Sequence, residues 1–277
     1  MGLVEYIHPT LETLDYTSPR VQLEIIGSSF LFFFVVYLAS AFIASMTWTY
    51  RNLRIKEKVF WNLSVVRAVF GVYSTCAGVW AVWWDTELKE DVVFATTPTS
   101  WFSLCLCVGF FLFECSAMFV SDVIFRQANP LLNLHHWLAL LGYVLVMVYR
   151  SSHFFGTVGL LLEMSTPFSA LCWTLLKCGL SDTLLWKLNQ FVLVHTFHCR
   201  SLLECYLWLQ SYRNWERIWQ AMPTPIFTAL YVQLTLIFFI MTPYWTYKKT
   251  VQLVNHRDWN FEDTETTKET NGSLKTD

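Results

Sequence analysis

The sequence predicts an all-α polytopic membrane protein with about seven transmembrane helices, on three observations. The chain of 277 residues is 55% hydrophobic and only 14% charged, against about a quarter charged in an ordinary soluble domain. Seven stretches approach the roughly 20 apolar residues that a helix needs to cross the hydrocarbon core. Many of the 14 Trp and 12 Tyr lie near the ends of those stretches, where an amphipathic ring keeps its polar atom wet. A net charge of −2 gives no reason to expect nucleic acid as a partner.

In chain order, residues 1–20 form a short segment. They hold Glu5, Glu12 and Asp15, and the apolar run behind them is too long for a signal-peptide core, so it is expected to remain as the first helix within 21–50. The spans are expected at about 22–48, 62–84, 101–125, 131–149, 154–177, 186–209 and 225–247. Short connections make residues 51–250 one bundle, and a polar tail occupies 251–277. Glu114 and Asp122 in the third span and Pro167 in the fifth leave open six spans plus a re-entrant piece.

Basic residues orient the bundle. Arg51, Arg54, Lys56 and Lys58 share one side with Arg126, Lys177, Lys187, Lys248 and Lys249, outnumbering Arg20, Lys89, Arg150, Arg213 and Arg217 on the other. The N-terminus is therefore expected in the lumen and the C-terminus in the cytosol, with the sequons at Asn62 and Asn271 unmodified. The eight cysteines lie in or beside spans, and buried Cys acts mainly as a small hydrophobe; Cys105 and Cys107 read as packing.

Five charges fall inside spans: Arg67, Glu114, Glu163, Arg200 and Glu204. Each costs roughly 2.5–3.5 kcal/mol at the bilayer centre, so they must face one another or a wet cavity. Around Arg67, helical spacing places Ser64, Gly71, Ser74, Thr75 and Gly78; around Glu163 it places Gly156, Gly159, Thr166, Pro167 and Ala170. Small residues mark close helix approach, so both charges are expected to point inward. Arg200 and Glu204, four apart, can pair along one helix.

His195 and His198 are neighbours three apart, whereas adjacent His135 and His136 diverge by about 100°. With Glu163 they suggest a polar path from one surface to mid-membrane. Ordinary hydrogen-bonding contacts between helices are the bland alternative. Four His and a Glu would satisfy one zinc, but the ligand count falls short of the histidine-box di-iron enzymes, and no metal is expected.

At "LHHWLALLGY" (134–143) and "LLLEMSTPF" (160–168) the chain resembles the TRAM–Lag–CLN8 (TLC) domain family. The blocks "EKVFWNLSVVRAVFGVYSTCAGVWA" (57–81), "WKLNQFVLVHTFHCR" (186–200), "PYWTYKKTVQL" (243–253) and "DWNF" (258–261) narrow that resemblance to one branch. It implies an endoplasmic-reticulum membrane protein with six helices in a TLC-type bundle around a central cavity, preceded by one helix. Ceramide synthases of the superfamily transfer acyl groups from acyl-CoA through the double-His region. The narrower branch is described as a receptor that helps lysosomal enzymes leave the endoplasmic reticulum. It has also been proposed to acylate glycerophosphoglycerol, feeding bis(monoacylglycero)phosphate. Glu163-Met164 stands where ceramide synthases carry His-Asp, which argues against a sphingoid-base acceptor. The tail "NGSLKTD" lacks the branch's dilysine retrieval signal.

Three functions are therefore in play. The first is an acyltransferase with acyl-CoA as co-substrate and no bound cofactor, in which His198 or His195 is the reactive group, Glu163 orients it, and His135 or His136 assists. Imidazole can act as base or nucleophile near neutral pH. Arg67 would hold a phosphate through its fork of donors, and Glu114 and Arg200 are further candidates for contact with substrate. The second is a cargo receptor using lumenal loops 85–100 and 210–224. Its partners would be lysosomal enzymes and vesicle-coat machinery, between the endoplasmic reticulum and the ER–Golgi intermediate compartment. The third is a protein that only binds or senses membrane lipid. A homodimer is left open.

Overall fold

Most of the long helices begin where the sequence supplies a Pro in the first turn or a side chain that caps the exposed N–H groups. In the computed structural model, which describes residue 11 and residues 13–261, no strand occurs among the described residues. Helix α1 spans Pro19–Ala44, the short α2 Trp48–Asn52, α3 Ile55–Trp83, α4 Pro98–Phe125 and α5 Pro130–Tyr149. The span α6 runs His153–Lys177, α7 Leu184–Arg213, the short α8 Trp215–Ala221, and α9 Thr224–Val254. Of the expected segment 1–20, residues 1–10 and 12, and of the expected tail 251–277, residues 262–277 with the sequon at Asn271, lie outside the described residues.

Six helices, α1, α3, α4, α5, α6 and α9, are long and apolar enough to cross a membrane. The seventh expected span corresponds to α7, whose 30 residues give ample length, roughly 45 Å. Asn189, Gln190, His195, His198, Arg200 and Glu204 lower its hydropathy, so it falls outside that group. The third span is one uninterrupted helix despite Glu114 and Asp122.

The neighbour relations close a ring: α3 on α4, α4 on α5, α5 on α9, α9 on α7, α7 on α6, and α6 back on α3. Helix α1 lies outside it against α4 and α3. The first turns of α6, His153–Gly159, touch α3, α4 and α5 and fill one end. The central cavity opens at the other end, between α3, α5 and α9.

Two breaks shape that cavity. Within α6, Leu160–Ser165 is a 3-10 stretch just ahead of Pro167. A proline ring crowds the carbonyl four residues back, here that of Glu163, and removes a donor, so the preceding turn tightens. In α9, Ile237–Met241 is a π-turn just ahead of Pro243. The extra residue re-phases the helix so that Thr242 is buried and its hydroxyl donates to Glu204 Oε1 at 2.5 Å.

Glycines let helices meet. A Cβ on Gly71 would lie 2.7 Å from Pro167 Cδ, and one on Gly78 would lie 2.8 Å from the Leu161 backbone nitrogen. The small-residue face expected around Arg67 thus forms the α3 side of the α3–α6 contact, met on α6 by Leu161 and Pro167, whereas Gly156 faces Leu104 of α4. Phe70 stacks on Phe110 with centroids 3.6 Å apart, and Phe33 of α1 meets both edge-on. Cys105 and Cys107 are buried among them, as expected of packing residues. Asn62 is buried and bonded to Ser40 and Tyr50 at 2.9 Å each, so its sequon offers no accessible amide.

After α9 the chain turns back across the open end. Lys177 Nζ bridges Glu57 Oε1 at 2.6 Å and Asp258 Oδ2 at 2.7 Å. The Trp173 indole donates to Asp258 Oδ1 at 3.2 Å, and Phe261 packs edge-on against Phe60. This is the "DWNF" block, strapped to α3 and α6.

The α3–α6 contact makes a specific prediction. Gly78→Ala, despite a gain in helix propensity of up to about 1 kcal/mol, should destabilise by about 1–3 kcal/mol through overpacking. Gly27→Ala, whose Cβ meets nothing within 4 Å, should not. Thermal unfolding of the purified protein in detergent is the measurement, and equal melting of both variants would contradict the packing.

Candidate functional site

Each helix of the ring contributes to one polar chamber at the open end. Its lining includes Arg67 of α3, His135 and His136 of α5, Glu163 and Thr166 of α6, Arg200 of α7 and Trp245, Lys248 and Lys249 of α9. It holds about 1300 Å³ of empty space, part of it open to solvent. A second, largely apolar slot, with about 950 Å³ of empty space that is partly open to its surroundings, runs between α5, α6, α7 and α9 toward the plugged end, past Gly142, Phe155, Gly159, Leu207, Ile226 and Leu230. His135 and Glu163 line both. They stand where the chamber becomes the slot.

The ionisable groups separate into three sets. Arg67 Nε donates to Glu114 Oε1 at 2.6 Å, and its Nη2 reaches the same oxygen. His136 Nε2 lies 4.0 Å from that oxygen while its Nδ1 faces the Leu132 carbonyl at 2.8 Å; a proton on Nδ1 satisfies that carbonyl. Glu114 is 0% exposed, and its Oε2 has no hydrogen-bond partner. This set locks α3, α4 and α5 together.

The second set faces the cavity. His135 Nε2 lies 3.8 Å from Glu163 Oε1, with side chains 13% and 19% exposed. The Thr166 hydroxyl donates to Glu163 Oε2 at 2.6 Å, fixing the carboxylate from one helical turn on. The His135 ring rests edge-on against His136 and Trp245. In the third set, Arg200 donates through Nε to Glu204 Oε1 at 3.3 Å and through Nη1 to the Leu162 carbonyl at 3.1 Å. Its guanidinium lies over the Trp245 ring. The pairing of Arg200 with Glu204 expected from their spacing is present.

Three expectations require correction. His195 and His198 do not reach the chamber: both are exposed on the outer face of α7, and His195 Nδ1 faces the Phe191 carbonyl of its own helix at 2.8 Å. Leu193, Phe197, Arg200, Glu204 and Leu207 form the buried stripe of α7, and residues 195 and 198 lie roughly 140–200° away from it at 100° per residue. Glu114, expected to touch substrate, stands behind the wall. Arg67 lines the chamber, but its fork is engaged by Glu114, which weakens its case as a phosphate ligand.

Sequence reasoning missed other lining residues. Thr166, three residues after Glu163, is recognisable by spacing. Lys248 Nζ lies over the Tyr244 and Trp259 rings, and Lys249 Nζ donates to Gln252 Oε1 at 3.2 Å; neither is in a salt bridge among the described residues. Trp259 and Asn260, which close one wall, follow a helix end and carry no periodicity to place them. Among the described residues, no group of three or more His, Cys, Asp or Glu gathers to hold a metal ion.

On the plugged end, Arg217 Nη2 donates to Asp91 Oδ2 at 2.5 Å, joining the α3–α4 connection to α8. Trp215 and Trp219 stack there with centroids 5.8 Å apart and remain exposed at 44% and 66%. The guanidinium holds the Asp91 carboxyl below its ordinary value of 3.8.

Comparison with known proteins places these features in a family. The TLC domain matches residues 60–250. The chain is 41% identical over 250 residues to Protein CLN8 of Homo sapiens, covering 90% of this chain and 87% of that protein. It is 39% identical over 262 residues to Protein CLN8 of Mus musculus, covering 94% and 90%. No solved structure matches it.

The buried pair predicts strong coupling. Arg67→Met leaves the Glu114 carboxyl buried alone and should cost about 3–5 kcal/mol, whereas Arg67→Met with Glu114→Gln should recover most of that loss. A double-mutant cycle in thermal unfolding reads the coupling, and additive effects would contradict the pairing.

Proposed function

This chain belongs to the TLC-domain family of membrane proteins, and on that premise we propose that it is an acyl-CoA-dependent acyltransferase of the endoplasmic-reticulum membrane. It acts on a glycerophospho-type acceptor, of which glycerophosphoglycerol is the leading case, and so serves lysosomal lipid supply. The observation that carries this reading is the position of His135 and Glu163 where a cationic chamber meets an apolar slot. A thioester there has its acyl chain in the slot and its polar part toward Lys248 and Lys249.

The chemistry follows from that placement. Glu163, held by Thr166, faces His135 Nε2 and stabilises the imidazolium, leaving Nδ1 to take the proton of the acceptor hydroxyl. The hydroxyl oxygen attacks the thioester carbonyl, the C–S bond breaks, and the leaving thiolate takes the proton back from His135. The 3.8 Å separation shortens to a hydrogen bond when substrate excludes water, as catalytic contacts commonly do. An acceptor phosphate finds cations at the chamber mouth, where N–H donors act as charge-assisted hydrogen bonders.

An acyl-transfer assay on purified protein tests this. His135→Ala should reduce turnover by about 10²-fold or more, and Glu163→Gln should reduce it with little change in melting. His195→Ala and His198→Ala should leave the rate near wild type. Wild-type turnover in His135→Ala would overturn the assignment.

A second reading, receptor for lysosomal enzymes, draws support from the ion pair of Arg217 with Asp91, which makes one aromatic surface of the two connections expected to bind cargo. Because the Asp91 pKa is lowered on folding, its stabilisation is complete above the unfolded value and lost as pH falls through the folded one. Hydrogen-exchange protection of residues 91–94 and 215–221, corrected for the intrinsic pH dependence of amide exchange, should therefore stay constant from neutral pH to about 5 and fall only below the ordinary Asp value of 3.8. A change between pH 7 and 6 would contradict this. Cargo co-precipitation that vanishes with Trp219→Ala but survives His135→Ala would favour the receptor.

A further inference from the structure

Helix α6 presents Phe155, Gly156, Gly159, Leu162 and Glu163 to the slot, at three- and four-residue spacing. The glycines in and around it are not equivalent. A Cβ on Gly156 would lie 3.0 Å from Leu104 Cδ2, and one on Gly142 would lie 2.8 Å from Gln233 Oε1. Both serve helix packing. Gly159 differs: a Cβ there meets nothing within 4 Å, although the residue is only half-buried and lines the slot. Helix packing therefore does not require a glycine at this position, and a mid-span glycine lowers helix stability by about 1 kcal/mol relative to alanine.

Position 159 lies one α-helical turn beyond Phe155 and four residues before Glu163, which stands on the 3-10 stretch. At 1.5 Å per residue up to Gly159 and about 2.0 Å per residue beyond it, Glu163 and Phe155 stand about 14 Å apart along the helix. Beyond Phe155 the slot is lined by Leu207, Ile226 and Leu230. A side chain on residue 159 would project into the middle of the slot and divide it. The other walls are fixed: Gln233 Nε2 donates to the Leu138 carbonyl, stitching α9 to α5.

We infer that Gly159 determines which acyl chains this protein accepts. Its missing side chain is the space through which a long chain passes from the His135 and Glu163 junction to the Phe155 end. A larger residue there restricts the slot to short chains. This rests on the reading of the slot as an acyl site. It goes beyond that reading by assigning chain-length selection to one position with no part in the chemistry. Removing even one methylene's room from an apolar site changes discrimination by about tenfold or more.

The test compares wild type, Gly159→Ala and Gly159→Leu, purified in detergent, by two readouts. The first is binding of free octanoate, myristate and palmitate, which needs no turnover. The second is acyl transfer from the corresponding acyl-CoA thioesters. Gly159→Leu should keep octanoate binding and lose palmitate binding by well over about tenfold, while Gly159→Ala, which fills only one methyl's room, should lose less and melt at least as well as wild type, showing that the helix tolerates substitution. Transfer rates should follow the same order. Unchanged palmitate binding in Gly159→Leu would overturn the inference, as would equal loss of all three acids in a variant that melts like wild type. A shifted binding profile with no turnover in any protein would instead overturn the enzyme reading and leave the selectivity of the slot standing.

Discussion

Pro167 sits in the middle of a membrane-spanning segment, and the organisation of the site follows from how α6 accommodates it. A proline there leaves the Glu163 carbonyl without its usual helical donor and presses on it. The chain answers with a tightened 3-10 stretch over Leu160–Ser165, and α3 closes on that stretch through Gly71 and Gly78. In lipid, irregular backbone is tolerated only where protein or a cavity covers it. The break is therefore buried in the bundle, and Glu163, which lies on it, is carried to the boundary between chamber and slot.

The rest of the polar inventory obeys the same constraint. A charge at this depth needs a partner or water, and the bundle supplies partners from different helices: Glu114 for Arg67, Glu204 and the Leu162 carbonyl for Arg200. The π-turn in α9 works with these, since it brings the Thr242 hydroxyl to Glu204. What these pairings leave facing the cavity is a His, a Glu, a Thr and two lysines near an open end. Chemistry, if the chamber performs it, falls to these groups because the other charges are engaged in holding helices together.

Much of this was legible in the sequence. Apolar length gave the long helices and their approximate limits, and the small residues four and more places from Arg67, with Pro167 four places from Glu163, marked the faces that meet. The spacing of Arg200 and Glu204 gave their pairing. The misplacement of His195 and His198 has a definite cause. They do share one face of α7, but Arg200 and Glu204 share the opposite face with Leu193, Phe197 and Leu207, and that buried stripe is the one turned into the ring. The polarity of those residues is also why α7, although the longest helix of the ring but α9, has the hydropathy of neither a typical span nor a surface helix. The partner of Arg67 came from another helix, and pairing between helices is set by the closure of the ring, which periodicity within one helix does not encode. The strap at residues 258–261 was visible as a motif, but its place over the chamber depends on Lys177 holding Glu57 and Asp258 together.

The most direct measurement is a cryo-electron microscopy structure of the protein with a non-hydrolysable acyl-CoA thioether. The scissile position should lie between His135 and Glu163, with the alkyl tail passing Gly159 toward Phe155 and the polar portion leaving beside Lys248. Density for the ligand along the outer face of α7 at His195 and His198, or an alkyl tail lying outside the α5–α9 wall with the slot empty, would contradict a reactive junction inside the ring.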